Sequence, residues 1–480
     1  MDAGGTCDAR ESEGKELQGS SSNKTSRPYM FGALRANWMR WRKLQNIEQR
    51  GRIKVNVNGR LCPVELRLVD EAITGDDGRL CSGCFRSSLF GKFKLAVTSH
   101  GMISPTDNVL VAFSGGPSSR VALQFVHEMQ HKAQKNFIAS RDKSLPVFGV
   151  GVAFIDESAI NCVPSHEFEK AIQDIQLIVS NLAPPAKELH ISPIESIFSL
   201  DSTDGRNKLK ELLLSITDVT GKEDLLQHLL MISLQKIAFD KGYNKLVLGS
   251  CTSRIASHVI SATVKGQGYS LPADIQYVDA RWEIPVVLPL RDCLAQELNM
   301  LCSLDSLKTL EVLNGPCSGI NGLVSSFVAL LQKENPSRDR TIVRTAEKLT
   351  PFHFNRIPET DDHNDHLSSL RRHKKFNLKS NESIPSEFFC PICSSPLNKS
   401  DLQSLSNLES CQNSAEFFGA SCCPSCQFQI LPKGDSSMEH FHSLLPQPII
   451  ARAKDGSCGT GSWLREQIKD CLLSDDEDGT

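Results

Sequence analysis

Between residues 107 and 292 short apolar runs alternate with longer stretches in which apolar side chains return every three or four positions. Continuous or alternating apolarity over a few residues marks a strand, a period near 3.6 marks a helix with one buried face, and their alternation predicts βαβ units with a mostly parallel sheet. The strands fall at 108–113 (NVLVAF), 147–155, 188–191, 245–248 and 285–288. The first leads into a helix whose Ala122, Leu123, Phe125, Val126 and Met129 recur at helical spacing. Residues 223–240, EDLLQHLLMISLQKIAFD, form a second amphipathic pattern, and Lys241 and Gly242 supply its stop signal. No repeat is evident along the chain.

The flanks lack this order. Residues 1–28 are polar and read as a disordered leader. Residues 29–77 form an atypical basic segment: from Arg27 to Arg60 there are nine Lys or Arg against Glu48, with Trp38 and Trp41 interleaved, a pattern that suits RNA as well as a solvated helix face. Residues 78–100 carry a single C-x-x-C, 101–349 span the α/β domain, and 350–385 form a polar linker. A cysteine-rich module at 386–432 is followed, over 433–480, by a helix near 463–473 and an acidic tail.

Composition narrows the function classes only a little. A net charge of -3 over 480 residues favours neither sign of partner. The N-terminus has no apolar signal core, and no run approaches ~18 apolar residues, so a soluble cytoplasmic chain without membrane contact is expected. Seventeen cysteines in such a chain point to metal ligation, catalysis or burial in place of disulfides.

Two features carry chemistry. Directly after the first strand stands SGGPSS at 114–119, where a helix N-terminus offers unpaired amides and the positive end of its dipole to a phosphate. Ser114, Ser118 and Ser119 add hydroxyls, while a plain strand-to-helix turn would want the same glycines. The stretch is neither G-x-G-x-x-G nor G-x-x-x-x-G-K-[ST]. Cys390, Cys393, Cys423 and Cys426 form two C-x-x-C pairs, the spacing that sets four thiolates around one tetrahedral Zn²⁺. The 29 residues between the pairs exceed the common ribbon spacing, and Cys411 and Cys422 are left over. Cys81 and Cys84 make a less complete pair, with Cys62 and Cys7 isolated upstream.

The SGGPSS loop resembles the SGGxDS pyrophosphate loop of the PP-loop ATPases. That resemblance implies a doubly wound, mostly parallel sheet holding ATP across its strand ends, with a C-terminal zinc-ribbon-like module added here. It assigns nucleotide contacts to Ser114, Gly115, Gly116, Ser118, Ser119, Asp156 and Gly249. Two departures stand out: Ser118 replaces the loop Asp, and Ser250 to Arg254 replace a polar-acidic set, which weakens Mg²⁺-assisted chemistry in this chain. Over residues 78–478 the chain resembles the cytoplasmic tRNA 2-thiolation protein 2 family, on LCSGCFR at 80–86, FGKFK at 90–94, the loop, PLRD at 289–292, RTAEKL at 344–349 and REQIKDCL at 465–472.

The family implies a subunit required for 2-thiolation of wobble uridine 34 (mcm5s2U) in the lysine, glutamate and glutamine tRNAs. Its partners would be tRNA, a catalytic PP-loop thiolation subunit, and a ubiquitin-related carrier that delivers sulfur as a thiocarboxylate. The cofactors expected are ATP with Mg²⁺, and structural Zn²⁺. Cys162, Cys251 and Cys293 lie in the core domain, and Cys251, just past a strand end, is the one catalytic candidate among them. The alternatives are a stand-alone ATP-pyrophosphatase acting on a small carbonyl substrate and a scaffold that binds no nucleotide.

Overall fold

The computed structural model describes residues 81–139, 146–161, 164–198, 202–310, 318–355, 388–398 and 414–455. The leader, the basic segment, most of the polar linker, the 463–473 helix, and Cys7, Cys62, Cys162 and Cys411 lie outside the described residues.

Helix α1 (Ser82–Ser99) opens the described chain. Strand β1 (Asn108–Ala112), helix α2 (Pro117–Ala139), strand β2 (Gly149–Asp156), helix α3 (Ser165–Ser180) and strand β3 (Glu188–Pro193) follow. Then come α4 (Ser202–Ser215), α5 (Val219–Asp240), β4 (Lys245–Val247), α6 (Thr252–Val264) and the short α7 (Leu271–Asp274). Strands β5 (Val278–Asp279) and β6 (Val286–Val287) close the sheet, and α8 (Ala295–Leu304), α9 (Gly319–Glu334) and α10 (Arg338–Ala346) follow it. The C-terminal part adds α11 (Ser414–Ser421), α12 (Pro424–Gln429), α13 (Asp435–Leu444) and α14 (Gln447–Asp455).

The sheet order is β3-β2-β1-β4-β6-β5, parallel throughout except for β5 against β6. Successive strands run outward from β1 to β3, and the chain then returns to add β4 on the other side of β1. The loop after β1 therefore sits at the topological switch point, where open α/β sheets bind ligands. Side-chain alternation along the strands divides the core between two faces. Val109, Val111, Val150 and Val152 pack with Phe85, Phe93, Phe125 and Ile175 from α1, α2 and α3. Leu110, Ala153 and Leu246 face Ala238, Ile255 and Val343 from α5, α6 and α10. The expected doubly wound sheet is thus present.

All five expected strands are found, trimmed or extended by a few residues at each end. Helix α5 starts at Val219, four residues before the predicted start. Asp218 caps it by accepting from the Gly221 amide at 2.7 Å, and Thr220 and Gly221 are buried. Its end matches the expected stop: Gly242 sits at φ +71, and Tyr243 and Gly242 amides donate to the carbonyls of Ala238 and Phe239, a Schellman closure.

The described part of the cysteine-rich stretch is packed into the α/β body. Cys390, Ile392, Phe418, Cys426 and Phe441 share one apolar cluster with Ile194, Leu209, Leu225 and Leu229 of the α4–α5 region. A Cβ on Gly221 would collide with the Gln429 carbonyl, so α12 lies directly on α5. Helices α13 and α14 join the same cluster through Leu444, Ile449 and Ala453.

Candidate functional site: a phosphate-type loop and a four-cysteine centre

The loop is shaped from inside and outside. Gly115 has φ +82, which favours glycine, and a Cβ there would lie 2.9 Å from Leu310 Cβ. Leu310 also donates its amide to the Gly115 carbonyl at 2.9 Å, locking the turn from 195 positions further along the chain. The buried Ser119 hydroxyl donates to the Gly116 carbonyl at 2.9 Å and lies 3.3 Å from both the amide and the hydroxyl of Ser114. Ser119 thus holds the loop together, leaving the Ser114 and Ser118 side chains at the more open positions.

Among the described residues the amides of Gly115, Gly116, Ser118 and Ser119 have no hydrogen-bond partner. Four unpaired N–H groups in a left-handed turn and first helical turn are the arrangement that suits an anion. Gly249, just past β4, closes it from the side: a Cβ there would stand 2.7 Å from the Ser119 amide and 2.8 Å from Ser118 backbone. The donor set fits a phosphate.

Asp156 ends β2 on the same edge of the sheet, in register with Pro193. One of its oxygens accepts from the Ser158 amide at 2.7 Å, which fixes the carboxylate in a local turn. Next to it, burial and the Asp156 charge raise the pKa of Glu157. Ser250, Cys251, Thr252 and Ser253 fill the equivalent edge after β4, and none is acidic. Thr252 donates its amide to the Cys293 carbonyl and its hydroxyl to the Arg291 carbonyl, so this edge is fastened to the PLRD segment.

The thiols near the loop are closed off. Cys251 is 2% exposed and packs in the core with Val247, Val287 and Cys293. Burial pushes the Cys293 thiol well above the usual range and the Cys302 thiol up to about 11. Cys302 lies 3.8 Å from the Pro117 carbonyl, beneath the start of α2. Nucleophilic thiols need thiolate character and access, and none of these has both.

The motifs that mark the family prove to be cross-links. In PLRD, the buried Arg291 donates to the Ile275 carbonyl at 2.5 Å and to Glu347 of RTAEKL at 2.6 Å, with its guanidinium over the Tyr277 ring. In FGKFK, Lys92 pairs with the buried Glu297 at 2.8 Å, and Phe90 and Phe93 pack on Phe125. In LCSGCFR, Arg86 bridges Glu128 and Asp305. None of these pairings has a local signal in the sequence, because each joins residues 14 to 219 positions apart.

At the second centre the ligand atoms of Cys390, Cys393, Cys423 and Cys426 all lie within 4.8 Å of one another and are buried. The Cys393 and Cys423 sulfurs are 3.6 Å apart. A Zn²⁺ with bonds of about 2.3 Å sets tetrahedral sulfurs about 3.8 Å apart, so the four fit a single ion of that size. Amides of Ser395 and Cys426 point at the Cys393 and Cys423 sulfurs. Burial opposes charge on Cys390, but thiol donors from Cys393, Cys422, Cys423 and Cys426 outweigh it and hold its pKa well below the usual range. Cys422 is a fifth buried thiol, donating to the Phe418 carbonyl at 3.4 Å. Arg281, itself held by Asp274 and Asp279, donates to the Ser394 carbonyl and ties the first knuckle to the β5 edge.

Cys81 and Cys84 stand at the start of the described chain, in the same local geometry as the second knuckle. The Cys81 sulfur caps α1 by accepting from the Cys84 amide at 3.4 Å. Among the described residues no group of three or more metal-ligating side chains includes them.

A doubly wound sheet with a glycine-rich, amide-lined loop at its switch point defines an α/β protein of the PP-loop type, here carrying a four-cysteine centre. A family model described as cytoplasmic tRNA 2-thiolation protein 2 matches residues 319–421. Proteins of that name from Arabidopsis thaliana and Oryza sativa subsp. japonica are 62% and 55% identical, over 84% and 85% of this chain and 88% of each relative. The chain belongs to the cytoplasmic tRNA 2-thiolation protein 2 family. Among solved structures, a U34-tRNA thiolase from Methanococcus maripaludis, described with its 4Fe-4S cluster, is similar at 15% identity and a TM-score of 0.46, over 66% of this chain and 93% of that one. No described helix is long and apolar enough to cross a membrane.

Proposed function

We propose that this chain is the nucleotide-holding, non-catalytic subunit of a cytoplasmic complex that replaces the C2 oxygen of wobble uridine 34 with sulfur. Its substrates are the lysine, glutamate and glutamine tRNAs. It works as a heterodimer with a catalytic PP-loop partner, which takes sulfur from a thiocarboxylated ubiquitin-like carrier. Identity of 62% across 88% of a relative named for tRNA 2-thiolation carries this reading.

Adenylation turns the C2 oxygen into a good leaving group, which a sulfur nucleophile then displaces. In this chain the free amides of Gly115, Gly116, Ser118 and Ser119 would hold phosphate oxygens, with Asp156 the carboxylate on that edge available to share Mg²⁺. Cys390, Cys393, Cys423 and Cys426 would hold structural Zn²⁺. Division of labour with a partner is supported by two features: Ser118 stands where a loop Asp would, and Cys251, Cys293 and Cys302 are buried. A stand-alone ATP-pyrophosphatase would need carboxylates that share Mg²⁺ within its own site.

Mass spectrometry of tRNA from cells lacking the chain tests the reading. Wobble 2-thiouridine is expected to disappear and to return with the wild-type chain; an unchanged level refutes it. The purified chain alone is expected to release no pyrophosphate from ATP, and release on a small carbonyl substrate would instead favour the stand-alone enzyme.

A further inference from the structure

Phe428 is 78% exposed, more than any other large apolar side chain among the described residues. It stands on α12, two residues past Cys426. The mount beneath it is rigid. Gln427, its neighbour, donates from one side-chain amide to the carbonyls of Gly419 and Cys422 at 3.1 and 2.8 Å. The Ile430 amide donates to the Cys426 carbonyl at 2.9 Å, and Gln429 is buried against Gly221 of α5. The helix is held at Cys423 and Cys426 and against α5, and it carries the ring on its outer face.

The Lys433 ammonium lies over this ring, 5.9 Å from its centroid. Lys433 is exposed and, among the described residues, has no carboxylate within ion-pair distance. Water gains nothing from an exposed phenyl face, whereas a nucleobase does: its π-face stacks on an aromatic ring while a cation beside the ring meets the adjoining phosphate. A protein partner would have to bring its own carboxylate to meet the Lys433 charge as it buried the ring, whereas RNA carries a phosphate beside every base.

We infer that Phe428 and Lys433 form a stacking platform for one unpaired tRNA base and its phosphate, a binding site built on the second cysteine knuckle. This rests on the tRNA-thiolation reading above. It gives the four-cysteine centre a task beyond stability, since the metal would set the position of an RNA-facing ring.

The test is equilibrium binding of unmodified tRNA, and of a fully paired RNA duplex of similar length, to the full chain assembled with its PP-loop partner. F428A is expected to weaken tRNA binding about 5- to 100-fold, the worth of one base-on-ring stack. F428W is expected to keep it, duplex binding is expected to be unaffected, and K433E should reduce the slope of log affinity against log salt by about one. Metal content and thermal unfolding of each variant check that the knuckle is intact. Tight tRNA binding by F428A with its metal retained overturns the platform. Loss of partner association in F428A, with tRNA binding by the remaining complex unchanged, overturns it in favour of a protein contact. Failure of the wild-type complex to bind tRNA at all overturns the functional reading as well.

Discussion

The loop after β1 and the four-cysteine centre present their donor groups by opposite means. The loop offers backbone amides, so its donors do not depend on which side chains carry them, and its integrity depends on what packs around it. Leu310 holds Gly115, and Gly249 presses on Ser118 and Ser119. The cysteine centre offers side chains, so the identities of four residues decide everything, while the backbone between the knuckles runs free of that constraint. One site is vulnerable to added volume, the other to lost atoms.

The largest expected effect is therefore at the cysteines. Cys390→Ser removes a ligand from a cluster that also buries Leu209, Leu225 and Leu229. It is expected to release the bound metal and to lower stability by more than ~3 kcal/mol, through loss of a metal site. Metal analysis together with thermal unfolding checks this, and retention of one equivalent of metal would break the contrast.

Adding one carbon at the loop comes next. In Gly249→Ala the new Cβ meets backbone on Ser118 and Ser119, which cannot swing away. A stability loss of about 1–3 kcal/mol is expected from overpacking, with ATP affinity falling at least about tenfold as the amides turn. Calorimetric titration with ATP reads this out; unchanged affinity would mean that the loop is only a structural turn.

A smaller effect is expected from Glu347→Gln, which removes the charge facing the buried Arg291 behind the same edge of the sheet. Glu347 is 40% exposed, so solvent screening reduces the loss to about 1–2 kcal/mol. Denaturant unfolding at two salt concentrations measures it. Equal unfolding of mutant and wild type would show that the PLRD and RTAEKL segments do not depend on this pair.

The smallest effect is one of pH. His127 lies on α2, the helix that carries the loop, and burial, with help from Lys187, His131 and Arg120, lowers its pKa to about 4. The unfolded chain, with the ordinary value of 6.5, binds the proton more readily. Stability is thus fully present above pH 6.5 and is lost as pH falls from there toward 4. The ring is only partly buried, so about 1 kcal/mol is expected between pH 7 and 5 after screening. His127→Gln should flatten that part of the pH profile; a profile that keeps its slope would place the acid sensitivity elsewhere.

The same contrast explains what could be read from the chain. The apolar run at 108–112 and the glycines behind it are local, so β1, its loop and α2 were legible, and so were the paired cysteines. Gly249 was visible as a survivor of a motif, but its reason, contact with Ser118 and Ser119, is tertiary. The true start of α5 was hidden because VTGK has no helical period, and only packing of Gly221 under Gln429 reveals why it is helical. The polar stretch after the α/β strands suggested a separate module, whereas Cys390 and Phe418 share a core with α4 and α5. Hydrophobic pattern reports which face is buried; it does not say against what.

The most direct measurement is the yield of wobble 2-thiouridine in a reconstitution with ATP, tRNA, sulfur-loaded carrier and catalytic partner, comparing no chain, wild type, and a chain with Gly115 and Gly116 replaced. The account predicts thiolation with the wild type, none without the chain, and a loss of at least about tenfold with the altered loop, whose left-handed turn admits no side chain. Full thiolation without the chain, or with the loop replaced, would contradict it.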